Sequence, residues 1–202
     1  MKRDELLAWI DIETTGLDVF KDNLLEVALL ITTQDDEVLV EDNWVLRFNR
    51  LPTAEFHPVV EEMHTKNGLW EDCSHSTLDL SNFLSQFEGQ LRRTQAHHNS
   101  GKFVMAGSGV ARFDFKWFEM NHPKIISELF AYYTLDVGVI RRGLELAGVI
   151  EIRDDEQPVD NLEHRALQDI NDHFNEWLEY KNWFEAANHN LLLNGGSPLI
   201  PR

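Results

Sequence analysis

Asp11-Ile12-Glu13-Thr14-Thr15-Gly16-Leu17 closes the apolar run that begins at Leu6, and its reading decides the fold. Alternate residues of a strand share a face, so Asp11 and Glu13 point the same way at the strand's end. Two carboxylates on one face repel each other, an arrangement that a divalent cation relieves, with Mg²⁺ or Mn²⁺ suiting oxygen donors. Taken alone, the pair reads equally as a solvated strand-end turn in which Gly16 supplies a positive φ.

Outward from this stretch, Leu24 to Thr33 reads as a second strand, Gln34 to Glu37 as a polar turn and Val38 to Phe48 as a third strand, together an antiparallel meander. Glu55 to Gly68 reads as partly helical, with Pro58 limiting the helix on its N-terminal side. Ser76 is placed as the cap of a helix running to about Phe87, because Leu80, Phe83, Leu84 and Phe87 recur at helical spacing. A short strand over Phe103 to Ala106, a turn at Gly107-Ser108-Gly109 and a helical stretch from Arg112 to Met120 follow. Tyr132 to Leu135 suggests another strand, and Val137 to Leu146 a helix that stops at Gly148. Ile150 to Asp160 reads as a solvated loop, and from Leu162 an apolar stripe through Ala166, Ile170, Phe174 and Trp177 marks a helix. With no internal repeat and no linker, the expectation is one domain over residues 1–190 and a tail over 191–202.

The chain has 202 residues, 43% of them hydrophobic, enough for a conventional core. Its formal charge of −17 repels long polyanions and argues against tight coating of duplex DNA, while a substrate with few phosphates, bridged by cations, remains compatible. Cys73 is the only cysteine, which rules out an intrachain disulfide. Met1-Lys2-Arg3-Asp4-Glu5 and the short apolar stretch after it read as neither secretory signal nor membrane span, so a soluble cytoplasmic protein without a membrane partner is expected. Cys73 and His97-His98 lack a matched set of ligands, and no zinc site is assigned.

If Asp11 and Glu13 hold cations, further acids must arrive from distant segments. Asp114 follows the turn after the Phe103 strand, in a first helical turn where the dipole favours a negative group, which is also its bland explanation. Asp169 lies at the border of the apolar stripe. Five residues in a helix turn through about 500°, so His164 and Asp169 converge only if His164 sits on the loop or the first turn.

In order and spacing these motifs resemble the DnaQ-like, or DEDDh, 3′→5′ exonuclease superfamily, and within it are most similar to the oligoribonucleases. The first motif of the superfamily appears as Asp11-x-Glu13 followed by Thr15-Gly16-Leu17, the second acid as Asp114 in Arg112-Phe113-Asp114-Phe115, and the last as His164 with Asp169 five residues on. The oligoribonuclease likeness adds His64-Thr65-Lys66-Asn67-Gly68-Leu69, and Tyr132 with Leu135-Asp136-Val137. Two departures bear on base stacking and substrate length: Gly107 to Phe113 is one residue longer than the oligoribonuclease pattern, and Val59 stands where that family carries an aromatic residue.

The resemblance implies an α/β, ribonuclease H-like fold with a central mixed five-stranded sheet flanked by helices. It implies hydrolysis of short oligoribonucleotides from the 3′ end to nucleoside 5′-monophosphates, with Asp11, Glu13, Asp114 and Asp169 holding two Mg²⁺ or Mn²⁺ ions and His164 as general base. It places Leu17, Thr14, Gly16 and His64 at the substrate and makes the chain a homodimer whose Tyr132 completes the partner's site. Leu17 as a packed loop residue, His64 as a supporting histidine and Asp136 as a structural acid remain open alternatives. The rival enzymatic reading is a DnaQ-like exonuclease on longer single-stranded DNA or RNA, and the non-enzymatic rival is an interaction protein that keeps the fold.

Overall fold

The computed structural model describes residues 5–49, 56–151 and 164–193. Three antiparallel strands open the chain, β1 (Leu7–Thr14), β2 (Leu24–Thr32) and β3 (Val38–Val45). Helices α1 (Pro58–Lys66), α2 (Leu69–His75) and α3 (Leu80–His98) follow, then β4 (Phe103–Gly107), α4 (Asp114–Asn121), α5 (Pro123–Leu129), β5 (Phe130–Asp136), α6 (Val137–Leu146) and α7 (Ala166–Leu193). The strands lie in the order β3-β2-β1-β4-β5. β1, β2 and β3 pair antiparallel, whereas β4 runs parallel to β1 and β5 parallel to β4. This is the α/β arrangement with a mixed five-stranded sheet that the resemblance implied.

The period of two along β1 sorts its side chains onto two cores. Ala8, Ile10 and Ile12 join Phe83, Phe87 and Leu91 of α3 and Trp117 and Phe118 of α4 on one face. Trp9 joins Ala28 and Leu30 of β2, and Ala166, Ile170 and Phe174 of α7, on the other. Asp11 and Glu13 continue the Trp9 row, so they emerge on the face that α7 covers, at the end of the central strand.

Several boundaries differ from the expectation. β1 runs to Thr14, so both acids lie within the strand. Ser76 does not start α3: its amide closes α2 on the Asp72 carbonyl, and Asp79 caps α3 by accepting the Asn82 amide at 2.8 Å. α3 continues eleven residues beyond Phe87, because Leu91 and Thr94 extend its buried stripe and Asn99, at φ 48°, ends it. Helices α2 and α5 were not anticipated. The loop read over Ile150 to Asp160 falls almost entirely outside the described residues, as does the tail beyond Leu193. Among the described residues no helix is long and apolar enough to cross a membrane.

Candidate active site

Four carboxylates converge at the end of β1. Ligand atoms of Asp11, Glu13 and Asp169 lie within 4.8 Å of one another. Asp169 belongs to the first turn of α7, whose packing of Phe174 against Trp9 sets the helix over the β1 row. Asp114 arrives in the first turn of α4, and its Oδ1 accepts the amide of Ile12, the residue between Asp11 and Glu13, at 3.1 Å. It stands outside the cluster of three, yet its charge acts on both Asp11 and Glu13.

Burial and mutual repulsion hold these acids back from ionising. Burial pushes Asp11 well above the usual carboxylate range, and Asp114, Glu13 and Asp169 add to the effect. Glu13 is pushed up to about 9, first by burial and then by Asp169, Glu26 and Asp114, with Arg165 acting weakly the other way. Asp114 is raised to about 7 by burial, against the stabilising Ile12 amide. Burial also raises Asp169, which His164 partly offsets. A cluster of hard oxygen donors this short of positive charge fits a divalent cation such as Mg²⁺ or Mn²⁺.

His164 precedes α7, as its convergence with Asp169 requires, and its Nδ1 lies 3.6 Å from Asp169 Oδ2. The ring is 43% exposed. Its backbone is anchored: the His164 carbonyl accepts from Asn67 Nδ2 at 2.5 Å, and Asn67 in turn turns its Oδ1 to the Leu69 amide. Next to it, Arg165 grips Glu26 through Nε and Nη2, at 2.9 and 3.0 Å, and reaches Asp72 at 2.9 Å. Glu26 is wholly buried and also accepts the Ala166 amide and the Asn43 side chain. These bonds fix the start of α7 to the sheet.

The other expected residues divide. Thr14 and Gly16 are buried, with Thr14 Oγ1 donating to the Gly16 carbonyl at 2.5 Å. Gly16 does not take a positive φ; a Cβ there would meet the Asp22 carboxylate at 2.6 Å and displace it from its bonds to Thr15 and the Asp18 amide. The turn presents Leu17 to solvent, 83% exposed. His64 does not reach the open site. It is fully buried beside Trp70, its Nε2 donates to the Thr14 carbonyl at 3.0 Å, and Glu13 lies 3.9 Å away, so it braces the end of β1 from behind. Burial lowers its basicity, which suits a neutral ring in that place.

Tyr132 is 92% exposed on the edge strand β5. It lines a separate hollow with Phe115, Ile126 and Phe130, away from the acids of its own chain. Asp136 accepts the Gly109 and Val139 amides, the structural role left open for it. Cys73 is buried with its thiol pushed up to about 12 by desolvation, a packing residue.

A cleft of about 930 Å³ opens beside the carboxylates, lined by Asp11 and Asp114 and by Leu17, Phe20, Arg112 and Lys116. Its size suits a small ligand of one or a few nucleotides. Sequence reading missed Glu26, Asn67 and Arg165 as supports of the site. For Glu26 a signal existed, since it is the one acid in the otherwise apolar run Leu24 to Ile31.

The exonuclease family model of the RNase T type matches residues 8–177. The oligoribonuclease of Mycobacterium avium (strain 104) is 35% identical over 182 residues, covering 89% of this chain and 80% of that protein. The mitochondrial oligoribonuclease of Mus musculus is 30% identical over 178 residues, covering 87% of this chain and 72% of that protein. Among solved structures, a moderately thermophilic exonuclease I from Methylocaldum szegediense matches with a TM-score of 0.61 at 18% identity, over 84% of this chain. The chain spans 39% of that structure's length, and at that identity the likeness speaks for the fold.

Proposed function

This chain belongs to the DnaQ-like (DEDDh) 3′→5′ exonuclease superfamily, in its oligoribonuclease-like branch, and from that premise we propose that it hydrolyses short oligoribonucleotides from the 3′ end to nucleoside 5′-monophosphates. The observation that carries this reading is the grouping of Asp11, Glu13 and Asp169 within 4.8 Å, with His164 3.6 Å from Asp169. The charge of −17 supports a substrate with few phosphates over a long polyanion.

Asp11, Glu13, Asp114 and Asp169 would hold two Mg²⁺ or Mn²⁺ ions. When bound, the ions supply Lewis-acid polarisation of the scissile phosphate and acidify water in the site. With Nδ1 turned to Asp169, His164 accepts the proton of the attacking water at Nε2. The water oxygen bonds to phosphorus, the bond from phosphorus to the 3′-oxygen of the preceding nucleotide breaks, and that oxygen takes a proton from solvent, to which His164 later releases the proton it accepted. Leu17, exposed beside the acids, packs against the terminal base. The chain works as a homodimer in which the partner receives the exposed Tyr132.

The deciding experiment is initial rate against chain length, for matched RNA and DNA oligomers with Mg²⁺ or Mn²⁺. The reading expects rates that fall steeply beyond a few nucleotides and favour RNA. A preference for long single-stranded DNA would replace it with a DnaQ-like exonuclease of longer strands.

A further inference from the structure

We propose that Phe20, Arg112 and Lys116 form a second subsite in the cleft, which binds the base and phosphate of nucleotides upstream of the two that flank the scissile phosphate and so favours a longer oligonucleotide over a dinucleotide. This rests on the reading of the acidic cluster as the place of hydrolysis.

The first observation is charge. In a chain with 35 acids against 18 lysines and arginines, cations are taken up readily by carboxylates. Arg141 and Lys181 each hold one, and Arg92 and Arg165 two. Arg112 and Lys116 form no ion pair among the described residues, although both are exposed and share their cleft with Asp11 and Asp114. Two cations without an ion pair among the described residues, in a cleft that Asp11 and Asp114 also line, offer a site to an anion arriving from outside.

The second observation is the apolar surface beside them. Phe20 is 70% exposed, and with Leu17 it gives the cleft two large apolar side chains in water. An exposed ring offers its face to any base, since every base has a π-face. Leu17 is adjacent to the Gly16 turn at the acids, whereas Phe20 lies three residues further along the loop.

The third is rigidity. The Asp18 carboxylate accepts the Phe20 amide at 3.0 Å, while the Asp22 carboxylate accepts the Asp18 amide at 2.8 Å. Lys21, 2.9 Å from Asp18, neutralises that acid, which also lines the cleft. Asn121 of α4 donates to the Val19 carbonyl at 2.8 Å, tying the Phe20 loop to the helix that carries Lys116. The backbone segments that carry the ring and the cation are thus tied together before any ligand arrives, which lowers the ordering cost of binding.

The test compares wild type with Arg112→Ser/Lys116→Ser and with Phe20→Ala on an RNA dinucleotide, whose one phosphate is scissile, and on a pentanucleotide. Affinity for both oligomers is measured in parallel by fluorescence anisotropy, with Ca²⁺ replacing Mg²⁺. The double variant is expected to raise KM for the pentanucleotide about tenfold and to lower the salt slope of its binding by about one to two, leaving the dinucleotide within about twofold. Phe20→Ala should weaken the pentanucleotide alone and leave the salt slope unchanged. The charge-keeping Lys116→Arg should retain the length preference. Equal losses on both substrates, or an unchanged pentanucleotide, would overturn the subsite. If wild type hydrolyses neither oligomer, the catalytic reading fails; the binding arm still decides the subsite by whether the double variant loses the affinity gained with length.

Discussion

Glu13 and Glu26 stand directly opposite each other in the β1–β2 register, and of these two the Arg165 guanidinium forms an ion pair with Glu26. Like charges directly across two strands destabilise the pair. Arg165 removes the conflict on one side by gripping Glu26 with two bonds in a buried setting, and it leaves Glu13 to share the remaining negative charge with Asp11 and Asp169. The same residue therefore anchors α7 beside His164 and sets which acids still lack a counter-charge.

Removing the Arg165 guanidinium should accordingly cost both stability and turnover. Arg165→Met leaves Glu26 buried and unpaired, a loss of about 3–5 kcal/mol by urea denaturation. Arg165→Lys keeps the charge but loses the two-pronged geometry, and should fall between that variant and wild type. Because Arg165 also reaches the Asn67 carbonyl, and Asn67 holds the His164 carbonyl, kcat should drop with little change in KM. An Arg165→Met protein as stable and as active as wild type would dismiss the anchor.

The raised acids make a pH prediction. Glu13 ionises near 9 in the folded chain against 4.5 ordinarily, so the folded state binds more protons than the unfolded one through that interval. Stability is then fully present below about 4.5 and is lost as pH rises through 9. In EDTA, Tm should fall steadily between about pH 6 and pH 9, and added Mn²⁺ should raise Tm more at the alkaline end, where the ion competes with fewer protons. Asp11→Asn removes one repelling carboxylate: it should melt higher than wild type in EDTA at pH 8 and lose hydrolysis. Melting curves flat across this range would count against the crowded-cluster account.

How far the sequence went follows from which interactions are local. The β1 acids were legible because a period of two needs no partner to be read, and Pro58, the Asp136 to Val137 helix start and Gly148 are punctuation marks that act where they stand. The Ser76 cap failed because Ser and Asp cap equally well, and the choice fell to tertiary contacts, with Ser76 Oγ donating to the Val45 carbonyl. For His64 the sequence left two roles open, at the substrate or as a support, because a histidine's burial depends on what packs over it, here Trp70. Glu26 and Arg165 are 139 positions apart, and nothing in either local sequence announces the other.

His164 should separate catalysis from cation binding. Its ring lies beside Asp169 but its substitution leaves all four carboxylates in place. His164→Ala should therefore lower kcat by about 10²–10⁴ while keeping the Mn²⁺-induced rise in Tm. Turnover near wild type at pH 8 would remove it from the role of base.

Tyr132 sets the last prediction, because the position of its ring decides whether one chain suffices. The side chain projects almost wholly into solvent from the edge strand, and it lines a hollow that includes none of the four acids. An edge strand also leaves backbone groups open to a second chain. If Tyr132 serves a site, that site belongs to another copy. Tyr132→Ala and His164→Ala homodimers should then both be impaired, whereas mixed dimers contain one site with an intact His164 and an intact Tyr132 from across the interface. Such mixtures should recover up to about half of the wild-type rate per dimer, since one of the two sites is then complete in both residues. A verified mixed dimer that stays as inactive as its parents would refute the exchange, and a monomer with full activity would remove the need for it.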